Sequence, residues 1–178
     1  LALSLVAAGP AFATGLEIEV AGEANGVITI DLLEDVAPQH VEQITALAAE
    51  GAYDGVVFHR VIDGFMAQTG DVQFGKIDGG DMRRAGQGGS SRADLPAEFS
   101  NVPYERGTVG MARSQNPNSA NSQFFIMFAP GGFLDGQYTV VGQVTEGMDV
   151  VDAIKRGKGQ NGAVVGTPDQ MVKVTVTD

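Results

Sequence analysis

Apolar and polar residues alternate along several short stretches of the chain, which is the pattern of half-buried β-strands. The clearest examples are residues 16–20, 26–32 and 171–177. The first two are separated by residues 22–26, whose Asn-Gly pair is a strong signal for a hairpin turn. Five further runs complete a set of eight predicted strands: residues 56–62, 65–69, 108–111, 124–128 and 138–144.

Two helices are predicted among these strands. Residues 38–50 begin with a proline, are followed by a glycine and place their apolar residues on one face. His40 lies on this helix and is expected at the protein surface. Residues 148–156 have acidic residues in the early turns and basic residues in the last, which matches the helix dipole, and Gly157 would form the C-terminal cap.

The number and length of these elements predict a mainly β fold. Eight short strands and two helices fit a closed eight-stranded antiparallel β-barrel capped by two α-helices, because closure leaves no exposed sheet edge. Periodicity alone does not separate this barrel from a β-sandwich. No repeat or linker divides residues 14–178, so we expect a single domain. Residues 72–106, rich in glycine, serine, aspartate and arginine, would form a long loop that is either functional or disordered.

Residues 1–13 differ in character from the rest of the chain. They carry no charge and end in the small-x-small pattern Ala11-Phe12-Ala13, which is typical of the apolar core and cleavage site of a secretory signal peptide. Cleavage there would make Thr14 the first residue of a mature periplasmic protein that is free of the membrane. A retained membrane anchor is the alternative, although a spanning helix needs about 20 apolar residues.

Composition and charge exclude several classes of function. The chain has no cysteine, which rules out thiol catalysis, disulfides and thiolate metal sites, and two histidines are too few for a three-histidine zinc site. The formal net charge of −11 argues against a nucleic-acid partner, since phosphate groups attract lysine and arginine. The HExxH, P-loop and Gly-x-Ser-x-Gly motifs are also missing from the sequence, so we expect no metal, no cofactor and no hydrolase chemistry.

Three segments contain a distinctive series of residues. Residues 58–71 are FHRVIDGFMAQTGD, residues 107–113 are GTVGMAR with NSQFFI following at 121–126, and residues 133–142 are FLDGQYTVVG. In this order and spacing they resemble the signature of the cyclophilins, and the resemblance runs from about Glu17 onward. It implies an exported bacterial peptidyl-prolyl cis/trans isomerase that acts, as a monomer, on proline-containing peptides and on unfolded or folding proteins.

The resemblance also implies roles for individual residues. Arg60 would be the catalytic arginine, while Gln68 and the backbone near Ala112 would hold the main chain of the substrate. Phe133 and Tyr138 would line the mouth of the pocket. The apolar pocket for the proline ring would consist of Phe65, Met66, Phe125 and Leu134.

Two positions depart from the well-studied eukaryotic members, which have Trp in place of Phe133 and His in place of Tyr138. Many bacterial members resemble this chain at both positions, so the departures leave isomerase activity as expected. They do affect the family's inhibitor cyclosporin, because the Trp donates an indole hydrogen bond to the drug and Phe133 has no donor. We therefore expect cyclosporin to bind weakly here.

The chemistry of X-Pro rotation suits these residue types. Amide resonance creates a barrier of about 18–20 kcal/mol. When the bond is twisted by 90°, the prolyl nitrogen gains a lone pair that a fixed cationic donor such as Arg60 can bind, and the planar ground state offers no such acceptor. His59 is assigned a structural role, since strand alternation would place it on the face opposite Arg60.

A second function remains open for the same fold. A non-catalytic module or chaperone that only binds proline peptides would need the apolar pocket but no transition-state donor. The presence of both Arg60 and Gln68 favours catalysis.

Overall fold

In the computed structural model, which describes residues 14–178, the chain forms one antiparallel sheet of nine strands and two α-helices. The helices are α1 (Pro38–Ala49) and α2 (Met148–Ala153), and a short 3₁₀ helix covers Gly132–Leu134. The signal peptide predicted for residues 1–13 lies outside the described residues. Within residues 14–178 no helix is both long enough and apolar enough to span a membrane. The strands are β1 (Gly15–Ala21), β2 (Gly26–Leu32), β3 (Val56–Val57), β4 (Arg60–Ile62), β5 (Met66–Thr69), β6 (Thr108–Met111), β7 (Phe124–Met127), β8 (Val140–Glu146) and β9 (Gln170–Thr177).

The order of the strands makes the sheet curl. Neighbouring strands follow the order β3-β9-β1-β2-β8-β6-β7-β5-β4, so β3 and β4 are the two edges. Phe58 and His59 are the two residues that connect these edges in the chain. The edges must therefore come together, and a side chain bridges the seam between them: the Thr69 hydroxyl of β5 donates to the Val57 carbonyl of β3 at 2.9 Å.

The predicted barrel is confirmed as a mainly β, antiparallel architecture with two helices and is corrected in its details. The predicted strand 56–62 is divided into β3 and β4, which gives nine strands, and no ladder joins these two within the described part of the chain. The division is caused by contacts with residues far along the chain. The Phe58 amide donates to the Asp169 carbonyl at 2.9 Å, and the His59 carbonyl accepts from the Val164 amide at 3.1 Å.

The second helix is shorter than predicted. It ends at Ala153 instead of Arg156, and Gly157 does not cap it. The cause is the buried carboxylate of Asp169, which accepts the Lys155 amide at 2.8 Å and so draws the chain away from the helix axis. Gly157 instead donates its amide to the Val61 carbonyl at 2.8 Å.

The expectation that His40 lies at the surface is wrong. Its side chain is fully buried, and its Nδ1 atom is hydrogen-bonded to the Glu98 carboxylate. The same carboxylate accepts the His40 amide at 2.9 Å, one of the free amides in the first turn of α1. Glu98 belongs to the long 72–106 loop, so this contact fixes the loop against the helix.

Buried apolar residues form two clusters. The larger one fills the space between the curled sheet and the helices, and includes Ile18, Ile28 and Ile44. The smaller cluster lies apart from it and supports the site described next. Its buried members are Met66, Tyr104, Phe125, Met127, Leu134 and Val140.

Candidate active site

A single surface groove of about 860 Å³ contains every residue that the sequence assigns to the site. The remaining lining comes mainly from the 85–87 and 161–163 segments and from Arg113. The structure thus brings the three motif segments together at one place. The assigned residues that line the groove are Arg60, Phe65, Met66, Gln68, Ala112, Phe125, Phe133, Leu134 and Tyr138.

The central residues of the groove form a row across four strands. Arg60 of β4 is opposite Gln68 of β5, Gln68 is opposite Phe125 of β7, and Phe125 is opposite Gly110 of β6. Directly opposed residues point to the same face of a sheet. Gly110 is required in this row, because a Cβ atom there would lie 2.6 Å from Cζ of Phe125 and 2.5 Å from the Tyr104 hydroxyl.

The apolar part of the groove has a buried floor and an exposed rim. Met66, Phe125 and Leu134 are each at most 6% exposed. Phe133 is 72% exposed, and its ring centroid lies 5.5 Å from that of Phe65. Tyr138 meets Phe125 edge to face at 6.2 Å. The structure thus places Phe133 and Tyr138 around an apolar floor, and the role of these residues in binding the proline ring stays a prediction.

The guanidinium group of Arg60 is held by two neutral acceptors. Nε donates to the Asn161 carbonyl at 2.9 Å, and Nη1 donates to Oε1 of Gln68 at 3.1 Å. Among residues 14–178, Arg60 forms no ion pair with a carboxylate, whereas Arg106 is paired with Asp152 at 2.7 Å. The positive charge of Arg60 is therefore fixed in the groove without a neighbouring negative charge to neutralise it.

The expected role of Gln68 and Ala112 in binding the substrate main chain stays a prediction, and the structure adds detail to it. Both ends of the Gln68 amide are engaged within the protein, since Nε2 donates to Oε1 of Gln123 at 2.9 Å while Oε1 accepts from Arg60. The Ala112 amide donates to the Gln123 carbonyl at 3.0 Å. A substrate bond at Ala112 would therefore use its carbonyl.

Sequence reasoning missed three residues of the site. Gln123 bonds Gln68, and its only sequence signal is a polar residue at the start of the apolar run of β7. Asn161 contributes a backbone carbonyl, so its side-chain type gives no signal. Arg113 lies 4.3 Å above the Tyr138 ring and donates to the Gln137 carbonyl at 2.7 Å, which supports the wall of the groove.

The structure places His59 in the groove beside Arg60, not on the opposite face. The alternation rule fails because His59 lies in the break between β3 and β4. Burial lowers the pKa of His59 to about 4, although the nearby Asp71 charge opposes this. Within the described residues neither ring nitrogen has a well-formed hydrogen bond. The ring is therefore neutral near pH 7, and the structural role of His59 stays a prediction.

Comparisons with known proteins identify the family. Residues 16–176 match the family described as cyclophilin type peptidyl-prolyl cis-trans isomerase/CLD. A Brucella suis protein named "Probable peptidyl-prolyl cis-trans isomerase" is 62% identical over 153 residues, which cover 85% of this chain and 78% of that protein. A Helicobacter pylori peptidyl-prolyl cis-trans isomerase is 38% identical over 137 residues, covering 75% and 77% of the two chains.

Solved structures agree in fold. A cyclophilin from Hirschia baltica superposes with a TM-score of 0.72 at 26% identity, covering 90% of this chain and 73% of its own. A Cryptosporidium parvum cyclophilin-type isomerase, solved in the presence of the dipeptide Ala-Pro, has a TM-score of 0.75 at 23% identity and covers 92% and 99%. The chain belongs to the cyclophilin-type peptidyl-prolyl cis/trans isomerases. Its activity is accordingly the isomerisation of X-Pro peptide bonds.

The depressed pKa of His59 predicts a pH-dependent stability. Between pH 6.5 and about 4 the unfolded chain protonates this histidine and the folded chain does not, so stability is lost as the pH falls through this range. At about 1.4 kcal/mol per pH unit, wild type should lose about 2 kcal/mol more than His59→Gln between pH 7 and pH 5. Urea unfolding at both pH values measures the difference. Equal losses of stability in the two proteins would contradict the prediction. A change of catalytic activity between pH 6 and 8 that is due to His59 would also contradict it, because a group with a pKa of about 4 does not titrate there.

The exposed Phe133 ring predicts weak binding of cyclosporin. Phe133→Trp restores an indole donor, and an unpaired hydrogen-bonding group costs about 1–3 kcal/mol. We expect the substitution to tighten binding by about tenfold or more, with turnover of peptides similar, and Tyr138 to limit the gain. Calorimetric titration of both proteins is the measurement. Wild type binding as tightly as the variant would show that the missing donor does not limit affinity.

Proposed function

We propose that Arg60 catalyses the isomerisation by donating a hydrogen bond to the prolyl nitrogen of the substrate at the twisted transition state. The proline ring would lie in the pocket formed by Phe65, Met66, Phe125 and Leu134. The observation behind this proposal is the anchoring of the Arg60 guanidinium by the Asn161 carbonyl and Gln68 Oε1, beside the apolar pocket and without a carboxylate partner in the described chain.

The energetics of the reaction are compatible with a mechanism that depends mainly on the hydrogen bond from Arg60 to the prolyl nitrogen. An acceleration of ~10⁵-fold requires about 7 kcal/mol of stabilisation that the ground state does not receive. The planar amide nitrogen accepts no hydrogen bond, whereas the twisted nitrogen does, so a donor held in place beforehand acts selectively on the transition state. Arginine suits this role because it stays protonated and its planar donors are rigid. The mechanism needs no group that titrates near neutral pH.

We infer that the substrates are proline-containing peptides and unfolded or folding proteins, bound by a monomeric enzyme. The groove is open and adjoins a second, polar cavity of about 480 Å³ that shares Gln68, Ala112 and Arg113 with it, so there is room for residues next to the proline. The related C. parvum structure was solved in the presence of Ala-Pro. The net charge of −11 disfavours nucleic acid as a partner.

We further propose that the enzyme works in the periplasm. The support is the uncharged, apolar segment of residues 1–13 with its Ala11-Phe12-Ala13 ending. The absence of cysteine suits an oxidising compartment, because no thiol is available for unwanted disulfides.

Arg60→Ala should lower kcat/KM by at least ~10²-fold, as expected for the loss of a preorganised charged donor. Arg60 is only partly buried, so the fold should be retained, which circular dichroism would verify. Arg83→Ala is the matched control, since that side chain is 93% exposed, and its activity should equal wild type. A folded Arg60→Ala enzyme with near-normal turnover would refute the proposed mechanism.

In its native cells the protein should be periplasmic and should begin near Thr14. The small residues at positions 11 and 13 determine this cleavage point. Mass spectrometry of the N-terminus after cell fractionation tests it, and Ala13→Arg should block processing. An intact segment in the membrane fraction of wild-type cells would contradict the proposal and support the retained anchor.

A further inference from the structure

Asp71 is a buried acidic residue that the isomerisation mechanism does not use. It lies two residues after the end of β5, and its side chain is fully buried. One carboxylate oxygen accepts the amides of Gln73 at 3.0 Å and Phe74 at 2.9 Å. The other accepts the amides of Gly86 at 2.7 Å and Gly88 at 3.0 Å. The carboxylate thus fixes residues 86–88, which we call the glycine turn, to the end of β5.

The glycine turn presents its carbonyl groups toward Gln123. Nε2 of Gln123 donates to the Gly86 carbonyl at 3.0 Å and to the Gly88 carbonyl at 2.8 Å. The turn depends on glycine at two points. Gly86 has a left-handed φ of +100°, and a Cβ atom at Gly88 would lie 2.4 Å from the Asp71 carboxylate. The position of these carbonyls is therefore coupled closely to the position of Asp71.

The hydrogen bonds from the turn to Arg60 have a fixed direction. Carbonyl groups only accept, so the two glycine carbonyls force the NH₂ group of Gln123 to point toward them and its oxygen to point toward Gln68. Gln68 must then donate its own NH₂ to Gln123, at 2.9 Å, and turn its oxygen toward Arg60, at 3.1 Å. Reversal of either amide would place two donor groups against each other.

We propose that Asp71 is a positioning residue of the isomerase, acting through the glycine turn and the Gln123 and Gln68 amides to hold an acceptor oxygen against Arg60. The inference rests on the proposed role of Arg60 as the transition-state donor. A bond held in one direction keeps the guanidinium aimed at the prolyl nitrogen without placing a negative charge beside it. Asp71 itself touches no substrate.

The test is Asp71→Asn, which keeps the size of the side chain and replaces one acceptor oxygen with a donor. The glycine turn should shift, and kcat should fall at least ~10-fold because small misplacements of a catalytic group are costly. KM should change less than about twofold, since the apolar pocket is untouched. Asp81→Asn makes the same chemical change in the same loop, where Asp81 accepts the Arg83 amide at 3.1 Å, and its kinetics should match wild type.

A double-mutant cycle separates positioning from a merely structural role. In the Arg60→Ala background, Asp71→Asn should cause no further loss of kcat, although it should lower the urea midpoint as much as in wild type. A folded Asp71→Asn enzyme with normal kcat, or a loss that multiplies fully in the Arg60→Ala background, would overturn the proposal. Normal activity of Arg60→Ala would instead overturn the proposed mechanism.

Gln123→Leu keeps the proposal testable if Asp71→Asn does not fold. This change breaks the only described connection from the glycine turn to Gln68 and leaves Asp71 with all four of its amide partners. It should reduce kcat by about the same factor as expected for Asp71→Asn, again with little change in KM. A normal kcat in folded Gln123→Leu would overturn the inference.

Discussion

The two edges of the sheet are joined by only two residues, and this short connection constrains the rest of the structure. Because β3 and β4 lie at opposite ends of the strand order, Phe58 and His59 can connect them only if the whole sheet curls round on itself. Arg60 follows this connection directly. The curl therefore determines where the groove forms. It brings β4, β5 and β7 next to the 161–163 segment and the glycine turn, and the groove lies between them. The covalent chain and Thr69 hold the two edges of the curled sheet together, and in residues 14–178 no ladder of backbone hydrogen bonds joins β3 to β4.

Neutral groups hold Arg60, the cation that we propose as the transition-state donor. A carboxylate next to Arg60 would hold it more strongly, but it would also attract the guanidinium away from a weakly basic nitrogen. Carbonyl and amide oxygens hold the guanidinium in position without neutralising its charge. The acidic group that stabilises the surroundings, Asp71, is buried behind the glycine turn and bonded to backbone amides. The Asp71 carboxylate can therefore hold the surrounding backbone without neutralising Arg60, because the glycine turn, Gln123 and Gln68 lie between the two charges.

The sequence was sufficient to predict the element types, the two helices and a set of residues that lie together in one groove, because strand periodicity and the motif segments are local signals. It failed where a distant group decides the outcome. Asp169 ends α2 early by accepting the Lys155 amide, and Glu98 buries His40 from 58 positions away. His59 was placed on the wrong face because the alternation rule assumes an unbroken strand, and the break depends on contacts with residues 164 and 169. Asn161 acts through a carbonyl that every residue possesses, so no side-chain pattern could reveal it.

The position of β9 determines when the fold can be completed. This strand, residues 170–177, lies between β3 and β1 and is the only described strand that joins them. It also supplies Met171 and Val174 to the larger cluster. A ribosome makes all other strands first, so the growing chain has a gap in its sheet until residue 177 has emerged from the exit tunnel. The complete sheet consequently forms only after β9 has been translated.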